Sequence, residues 1–548
     1  MKYITGEQRN QITFMPDCVE DYVSEHNPVR VIDAFVDSLD ISSIGFERPI
    51  PNHTGRPSYD PRDLLKLYIY GYFNRIRSSR SLMTECSRNL EVIYLLGKLS
   101  PDFRTISDFR KNNAKAIKQV FNEFVKLCMK LNLYNKEFIA IDGSKFRAQN
   151  SKDNCYNKTI LEKKISNIDE KLDKYFEDLD SVDREEDKLE EATPEEIQDA
   201  IKELKNRKKK YTSYIAELDE TGELQLATTD KDCRRMHSKD GFHCSYNIQS
   251  AVDEGNHMIA AYEVTNTTDV GHLKEVSDIA KKVLKTEKIN VLADKGYDSR
   301  SDILECIMNG TIPYVGMKYD KDERIFTLEY IHEDITEDIY NSTKPEDIQK
   351  CLHRGIIPKC YENESISIEV QGEGKVELSC FRLNEDGTVT CPTGETLRKT
   401  STKGKENPQT NYACKPACRK CTNRCSDSKK HKVVSFAKDS KYVPVEMTNE
   451  NNIELLKFPI GLKLPNRYRK VRKKNVVIKI KCEKEKMSRR MGLVEHPFGT
   501  VKWSHGAHYV LCRGMEKVSA EIGLSFLAYN LKRAINILGV KKIIEEIY

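Results

Sequence analysis

Two aspartates close apolar runs that have the composition of buried strands. Asp142 follows the run in "FIAIDGSKFRAQN" and Asp294 the run in "INVLADKGYD", each with a lysine and a glycine just beyond it. Ligands of α/β sheets gather where strands end at their carboxyl edge, so both carboxylates are expected at one site. Mg²⁺ takes one or two carboxylates with water and phosphate oxygens, and two such ions stabilise the attacking and leaving oxygens of phosphoryl transfer. Two strand-end turns remain the simpler interpretation of two aspartates alone.

A third acid extends this pattern. In "SRRMGLVEHPFGTVKWSHG", Glu495 precedes Lys502 by seven residues, close to two helical turns, so both would lie on one face of a continuous helix. Pro497 removes a backbone hydrogen bond and favours a kink, which predicts Glu495 near a helix start or a bend. His496 beside it either assists proton transfer or supports the structure.

Composition restricts the class of protein. The 548 residues, 38% hydrophobic and 32% charged, predict two to four domains with real cores. The net charge of +5, from 90 basic and 85 acidic residues, says little about binding partners. Local clusters of charged residues are the better indication of what the protein binds. No apolar run approaches eighteen residues and the N-terminus lacks an apolar secretory segment, so we expect no membrane span and a cytoplasmic location. In a reducing cytosol the 17 cysteines are thiols or metal ligands.

The elements that must position the acids are predicted from hydrophobic periodicity. Strands followed by helix-linked strands predict an α/β fold, with a mixed sheet flanked by helices. The chain divides into an N-terminal helical domain, three core segments and two insertions. The helical domain is predicted over residues 1–130, and the core segments over residues 131–155, 235–319 and 485–548. The first insertion, residues 156–222, is a charged helical hairpin or coiled coil. The second insertion, residues 320–484, is irregular and contains a cysteine cluster and a basic stretch.

The N-terminal domain has apolar residues at three-and-four spacing in "DPRDLLKLYIYGYFNRIRSSRSLMTECSRNLEVIYLLG". A plain helical bundle and a helix-turn-helix-like DNA-binding module both fit this pattern. Basic residues support the second interpretation. They are Arg75, Arg77, Arg80, Arg104, Arg110 and Lys111.

Four cysteines crowd the stretch "YACKPACRKCTNRC", and Cys391 lies upstream in "CPTG". Thiolates at two- and three-residue gaps suit tetrahedral Zn²⁺. Cys418, Cys421 and Cys425 with Cys391 would form a structural zinc site, and Cys414 is the alternative fourth ligand. Reduced loop cysteines are the simpler interpretation.

Two further features bear on DNA. The basic run "RYRKVRKK", residues 467–474, includes Arg469 and is expected to contact phosphates, with affinity that falls steeply with salt. Trp503 is the only tryptophan. It could stack on an unpaired base, but a core position is favoured.

The chain resembles the DDE transposases of bacterial insertion sequences, in the ribonuclease-H-like superfamily, and specifically an insertion-sequence-four-like branch marked by "VEHPFGT". The resemblance extends over nearly the whole chain. It rests on the order and spacing of "GRPSYDPRDLLKLYIYGYFNRIRSSR", "IAIDGSKFRAQNS", "GFHCSYNIQSAVDE", "VLADKGYDS", "VEHPFGTVK" and "LAYNLKRAINI".

The resemblance implies a ribonuclease-H-like mixed sheet in which Asp142, Asp294 and Glu495 form a metal-binding triad. Two Mg²⁺ ions per active site are implied, and Mn²⁺ can replace them. Lys502 corresponds to a lysine that contacts backbone phosphates. The matching arginine position is Met491 here, so its neighbour Arg490 is taken as the counterpart.

Other basic residues lie where a DNA strand would arrive beside the first two acids. They are Lys145, Arg147 and Lys295. Such phosphate contacts position DNA without reading its bases.

The expected activity is that of a DNA transposase. It would bind the terminal inverted repeats of its element, cleave there and join the 3′ ends to target DNA by two-metal-ion phosphoryl transfer. The partners are double-stranded DNA and, since two ends must react, a second copy of the chain; no membrane is involved. The alternatives are a metal-dependent endonuclease without strand transfer and a non-enzymatic, zinc-containing DNA-binding regulator.

Overall fold

The computed structural model divides into two compact units. One comprises residues 1–307, 311–319 and 483–548, and the other comprises 308–310 and 320–482. The structure describes residues 18–47, 58–182, 194–238, 241–317, 323–331, 333–371, 381–384, 386–391, 394–403, 409–421, 431–437, 446–449, 452–457 and 475–548. The basic run 467–474, with Arg469, and Cys425 lie outside these residues.

The helices are α1 Val29–Asp37, α2 Ile41–Ile44, α3 Pro61–Phe73, α4 Ser79–Arg88, α5 Leu90–Leu96, α6 Phe103–Asn112, α7 Ala114–Lys130, α8 Lys158–Val182, α9 Pro194–Thr221, α10 Leu273–Leu284, α11 Arg300–Met308, α12 Glu337–Asn341, α13 Pro345–Arg354, α14 Lys415–Lys420, α15 Lys484–Gly499, α16 Met515–Leu538 and α17 Val540–Ile547. The strands are β1 Phe138–Arg147, β2 Cys155–Tyr156, β3 Leu226–Ala227, β4 Arg234–Ser238, β5 Gly241–Asp253, β6 Ile259–Thr265, β7 Ile289–Ala293, β8 Thr311–Val315, β9 Glu323–Glu329, β10 Ile366–Gln371, β11 Arg382–Leu383, β12 Val389–Thr390, β13 Thr396–Lys403, β14 Gln409–Ala413, β15 Val434–Ala437, β16 Glu446–Asn449, β17 Asn452–Lys457 and β18 Asn475–Lys481.

The N-terminal helices begin where the sequence supplies caps. Asp60 accepts the backbone N–H of Arg62 at 2.8 Å, and Pro61 opens α3, a position where its missing N–H costs nothing. Asp102 caps α6 in the same manner. Helix α3 is buried along most of its length and packs against α16, so it lies at the centre of the helical layer.

A mixed sheet forms the core of the first unit. Strand β1 lies between β5, antiparallel to it, and β7, parallel to it, and β8 continues the parallel side. The other edge of β5 pairs with β4 at one end and β6 at the other. Helix α15 packs on β1 and β7, while α10 packs on β5 and β6. The fold is therefore α/β with helices around a mixed sheet, as the sequence predicted.

Strand β1 does not end at Asp142. It continues to Arg147, because residues 143–147 pair in register with residues 249–245 of β5. Asp142 therefore lies inside a strand. The interpretation of Asp142 as a strand-end turn residue was wrong, and Gly143 has a different role that is described below.

Helix α16 is buried on every side from Val518 to Leu531 and packs against α3, α7 and β6. Its Asn530 is fully buried and pairs with the backbone of Ile259 of β6, accepting its N–H at 2.9 Å and donating to its carbonyl at 2.8 Å. This pairing ties the C-terminal helix to the sheet, since a buried amide must find partners. Helices α8 and α9 pack on each other as an antiparallel pair around Leu161, Leu172 and Ile201.

The second unit contains two larger antiparallel sheets. One has the order β10-β18-β9, with α13 packed on β18, and the other the order β11-β12-β13-β14-β15. Strands β16 and β17 pair separately. Within the described residues, no helix is long and apolar enough to cross a membrane.

Candidate active site at the centre of the mixed sheet

The parallel pairing of β1 and β7 makes the first two acids neighbours. Ile141 of β1 lies opposite Ala293 of β7, and each of these two residues is followed directly by an aspartate. Asp294 also caps a single helical turn, accepting the backbone N–H of Gly296 at 2.7 Å. The two carboxylates that the sequence singled out therefore meet at one level of the sheet.

Burial dominates the electrostatics of Asp142 and raises the pKa of its carboxyl to about 6. Within this net value the Arg490 guanidinium lowers the pKa, and the nearby carboxylates of Asp294 and Asp269 help to raise it. Arg490 Nη1 lies 3.5 Å from Asp142 Oδ1 and makes no hydrogen bond within the described part of the chain. A cation therefore already lies beside these acids, in a contact too long to satisfy its donors.

Glu495 lies late in α15 and is exposed. Pro497 does not end this helix, which runs to Gly499 and passes into a π-helical turn over Thr500–Ser504. Glu495 therefore lies far from the helix start, one of the two positions that the sequence predicted, and Lys502 lies within the π-helical turn, not on a continuous α-helix with Glu495. In the described ranges, no three His, Cys, Asp or Glu side chains are grouped to hold one metal ion.

Lys502 is placed next to β1. Its Nζ donates to Ser144 Oγ at 2.6 Å and to the Lys145 carbonyl at 2.7 Å, and it lies 4.6 Å from the Phe146 ring centre. The C-terminal segment thus delivers a positive charge two residues beyond Asp142.

The donor chemistry fits Mg²⁺. Asp142 and Asp294 are neighbouring carboxylates, and Mg²⁺ sites commonly use one or two carboxylates and complete the octahedron with water and phosphate oxygens. Burial, with a smaller contribution from the neighbouring acids, raises the pKa of Asp142, so a cation bound beside it would stabilise its ionised form. Asp142 and Asp294 would hold the ions, with Glu495 as a further ligand.

Arg77 does not face solvent as a DNA-contacting residue would. Its side chain is 8% exposed and donates to the carbonyls of Gly506 and Tyr509 at 2.7 and 2.6 Å. It also pairs with Glu521 at 3.2 Å. Its assignment to DNA binding is corrected, because every one of these contacts holds it inside the fold.

The other basic candidates are placed differently. Arg80 is exposed and lies over the Phe103 ring at 4.8 Å. Arg147 and Lys295 are exposed, whereas Lys145 Nζ donates to the His237 carbonyl at 2.5 Å. These four remain candidates for phosphate contact.

Trp503 is 76% exposed, so the expectation of a core tryptophan was wrong. It belongs to the π-helical turn, where Val501 takes the buried position instead. Its ring stacks on His508, with centres 6.1 Å apart and planes at 17°. An exposed, pre-stacked aromatic beside Lys502 is the arrangement that suits base stacking. His496 instead meets the Tyr529 hydroxyl at 3.0 Å, which favours its structural role.

The structure adds residues that the motifs did not single out. Asp269 lies beside Gly143 and accepts from the side chains of Asn247 and Gln249. Tyr297, three residues beyond Asp294, is fully buried. The available signal was in "SYNIQSAVD", where Asn247 and Gln249 alternate with apolar residues in a strand buried on both faces.

In the second unit, Cys391 and Cys414 pack against one apolar cluster and leave the same end of the sheet. The cluster consists of Phe381, Val389, Leu397, Tyr412 and Val434. Cys414 precedes α14, which carries Cys418, and Cys421 ends it. Among the described residues these thiols are not grouped as three ligands of one metal ion, so the zinc site and the choice between Cys391 and Cys414 stay predictions.

Three family models match the chain. The Transposase domain (DUF772) matches residues 17–112, and two models described as Transposase DDE domain match residues 134–354 and 461–535. A comparison with curated proteins found no match. The cryo-EM structure of a piggyBac transposase synaptic complex with hairpin DNA aligns over 95% of this chain and 79% of that chain, at 9% identity. Its TM-score of 0.28 is too low to carry an argument. Three segments of the chain thus match transposase models, one described as a transposase domain and two as transposase DDE domains, which supports the kind of protein that its motifs predicted.

Proposed function

We propose that this protein is a DNA transposase that cleaves the ends of its own element and joins the 3′ ends to target DNA. The observation that carries this proposal is the placement of Asp142 and Asp294 side by side, within the segment matched as a Transposase DDE domain. The strand order β6-β5-β1-β7-β8, antiparallel on one side of β1 and parallel on the other, supports a ribonuclease-H-like sheet.

Asp142 and Asp294 hold Mg²⁺, and Glu495 contributes from α15. When bound, the ions stabilise the attacking and leaving oxygens of phosphoryl transfer. Arg490 neutralises Asp142 in the absence of DNA and has unsatisfied donors to offer a phosphate. Lys502 stiffens β1 next to the acids and adds positive charge there.

The exposed cations Arg80, Arg147 and Lys295, with Lys145, supply further phosphate contacts. Such contacts set the position of the duplex and make binding salt-dependent. Two ends must be cut and joined together, so the active assembly is a homodimer on DNA.

The test uses linear DNA carrying both ends of the encoding element, a supercoiled target plasmid and Mg²⁺. We expect breaks at the ends and covalently joined products. Cleavage without joining would favour the endonuclease, and binding without cleavage the zinc-containing regulator. Asp294→Asn is the matched control: it should bind the same DNA and yield neither breaks nor joined products.

Trp503 provides a direct optical prediction, because it is the only tryptophan in the chain. Stacking of a base on its exposed ring should quench its emission when DNA ends with unpaired bases are added. Trp503→Ala should weaken binding of that DNA by about 1–3 kcal/mol. Tyr548→Ala removes another exposed aromatic, 85% exposed at the C-terminus, and should have no effect. Unchanged emission at saturating DNA would contradict base stacking.

Zinc gives a separate prediction for the second unit. Purified chain should contain about one Zn²⁺ per molecule by mass spectrometry of metals, as a four-thiolate site requires. Cys418→Ser should lose the metal and lower the unfolding temperature, since structural zinc stabilises the folded state. Cys18→Ser, at an exposed cysteine of the first unit, is the control. A wild-type chain without zinc would leave these residues as reduced thiols.

A further inference from the structure

A chain of buried polar side chains runs beneath the candidate active site. The Tyr297 hydroxyl donates to Gln249 Oε1, and Gln249 Nε2 donates to Asp269 Oδ1 at 2.8 Å. Asn247 Nδ2 donates to the same oxygen at 2.8 Å. Tyr297 and Gln249 are completely buried and Asn247 is 1% exposed. Three polar side chains in such a position cost free energy unless they are hydrogen-bonded to each other.

This series of hydrogen-bonded side chains crosses β1 at Gly143. A Cβ atom at that position would lie 2.1 Å from Asp269 Oδ1 and 2.6 Å from Gln249 Nε2. The backbone of Gly143 is that of an ordinary strand residue, paired with Gln249 of β5. Glycine is therefore needed here for space, because the side chains of β5 pass over it. This explains the Asp-Gly pair in "AIDGS" better than a turn does.

The far end of the chain is the turn that presents Asp294. That turn spans Lys295–Tyr297, and it closes through the Tyr297 N–H, which donates to the Asp294 carbonyl at 3.2 Å. Asp269 Oδ2 lies 3.4 Å from where a Cβ of Gly296 would be. Tyr297 thus holds the turn that carries Asp294 in place. Its hydrogen bond to Gln249 connects this turn to β5, the strand that pairs with β1 and its Asp142.

We propose that Tyr297, Gln249 and Asp269 are positioning residues that set the Asp294 carboxylate relative to Asp142 and thereby determine the divalent-cation affinity of the pair. This inference rests on the proposed function. None of the three is assigned contact with the ion. They act as the hydrogen-bonded support behind metal ligands, whose loss typically costs 10–100-fold in metal affinity or activity.

The test compares Tyr297→Phe with Tyr262→Phe. Both tyrosines are buried, and the Tyr262 hydroxyl also makes one hydrogen bond, to the Ser519 carbonyl at 2.9 Å. Each variant should lower the unfolding temperature. Only Tyr297→Phe should weaken Mn²⁺ binding, measured by paramagnetic resonance on the full chain without DNA, by about 10–100-fold. Its Mg²⁺ half-saturation for cleavage should rise by the same factor.

Gly143→Ala is the second variant, and it tests the positioning role if Tyr297→Phe does not fold. Its methyl group displaces Asp269 and Gln249, so Mn²⁺ affinity should fall. Gly492→Ala, where a Cβ would meet nothing within 4 Å, is its control. If Tyr297→Phe or Gly143→Ala bound Mn²⁺ with wild-type affinity, this inference would be overturned and the proposed function would be unaffected. A wild-type chain that neither binds Mn²⁺ nor cleaves would overturn the proposed function and the inference with it.

Discussion

Asp142→Asn is expected to abolish DNA cleavage while making the folded chain more stable. Removing a metal-binding carboxylate forfeits several kcal/mol of charge stabilisation. About 4 kcal/mol corresponds to a roughly thousandfold slower reaction. The gain in stability has a separate cause, since burial and the neighbouring acids raise the pKa of Asp142 from 3.8 to about 6. Ionisation of this carboxyl therefore costs the folded state free energy, and asparagine avoids that cost.

The pH dependence follows from the direction of this shift. Below about pH 4 the carboxyl is neutral in both folded and unfolded chains, and Asp142 contributes no penalty. As the pH rises from about 4 to about 6, the unfolded chain ionises first, so the folded state loses relative stability. Above about pH 6 the penalty is complete, at about 3 kcal/mol for a shift of this size. The variant should exceed the wild type in unfolding free energy by up to this amount above about pH 6, and by little below about pH 4.

The measurement is urea unfolding in EDTA across this pH range, paired with cleavage assays in Mg²⁺. Asp302→Asn is a matched control, because burial raises the pKa of Asp302 as well. That carboxylate accepts the N–H groups of Leu273 and Lys274 at the start of α10, so its variant should still cleave DNA. An Asp142→Asn enzyme that still cuts would remove Asp142 from the mechanism.

Arg77→Ala is expected to lower the unfolding free energy by about 3–5 kcal/mol, the range for breaking a buried ion pair. Glu521 is 2% exposed and would lose its only salt-bridge partner among the described residues. The backbone N–H groups of Leu511 and Cys512 would still reach its carboxylate, but the carbonyls of Gly506 and Tyr509 would lose their donor. Urea unfolding measures this loss, which should appear without a specific loss of DNA affinity in the folded protein.

Arg80→Ala is the matched comparison, three residues along the chain. Arg80 is exposed, so its removal should change the unfolding free energy by less than about 1 kcal/mol, the upper end for an exposed cation–π contact. It should instead weaken DNA binding and reduce the salt slope by about 1. If Arg77→Ala proved as stable as the wild type and bound DNA poorly, the sequence interpretation of Arg77 would be restored.

Much of the candidate active site was predictable because it depends on local sequence pattern. Apolar runs of strand length ending near Asp142 and Asp294 predicted two strands, and strands followed by helix-linked strands predicted a mixed sheet. Parallel strands leave their residues at matching levels, so the two aspartates had to approach each other. The helices α3 and α16 were likewise evident from their apolar periodicity.

The sequence by itself determined the kind of domains, the mixed sheet and the pair of aspartates, since these follow from periodicity and motif order. Only the tertiary structure decided which side chains face solvent and which cross the sheet. Arg77 is buried because the C-terminal segment packs around it. Trp503 is exposed because it lies on the π-helical turn of that segment. Gly143 is a glycine because Gln249 of the paired strand passes over it. Such contacts depend on register and on packing between distant segments, which no local pattern of residues encodes.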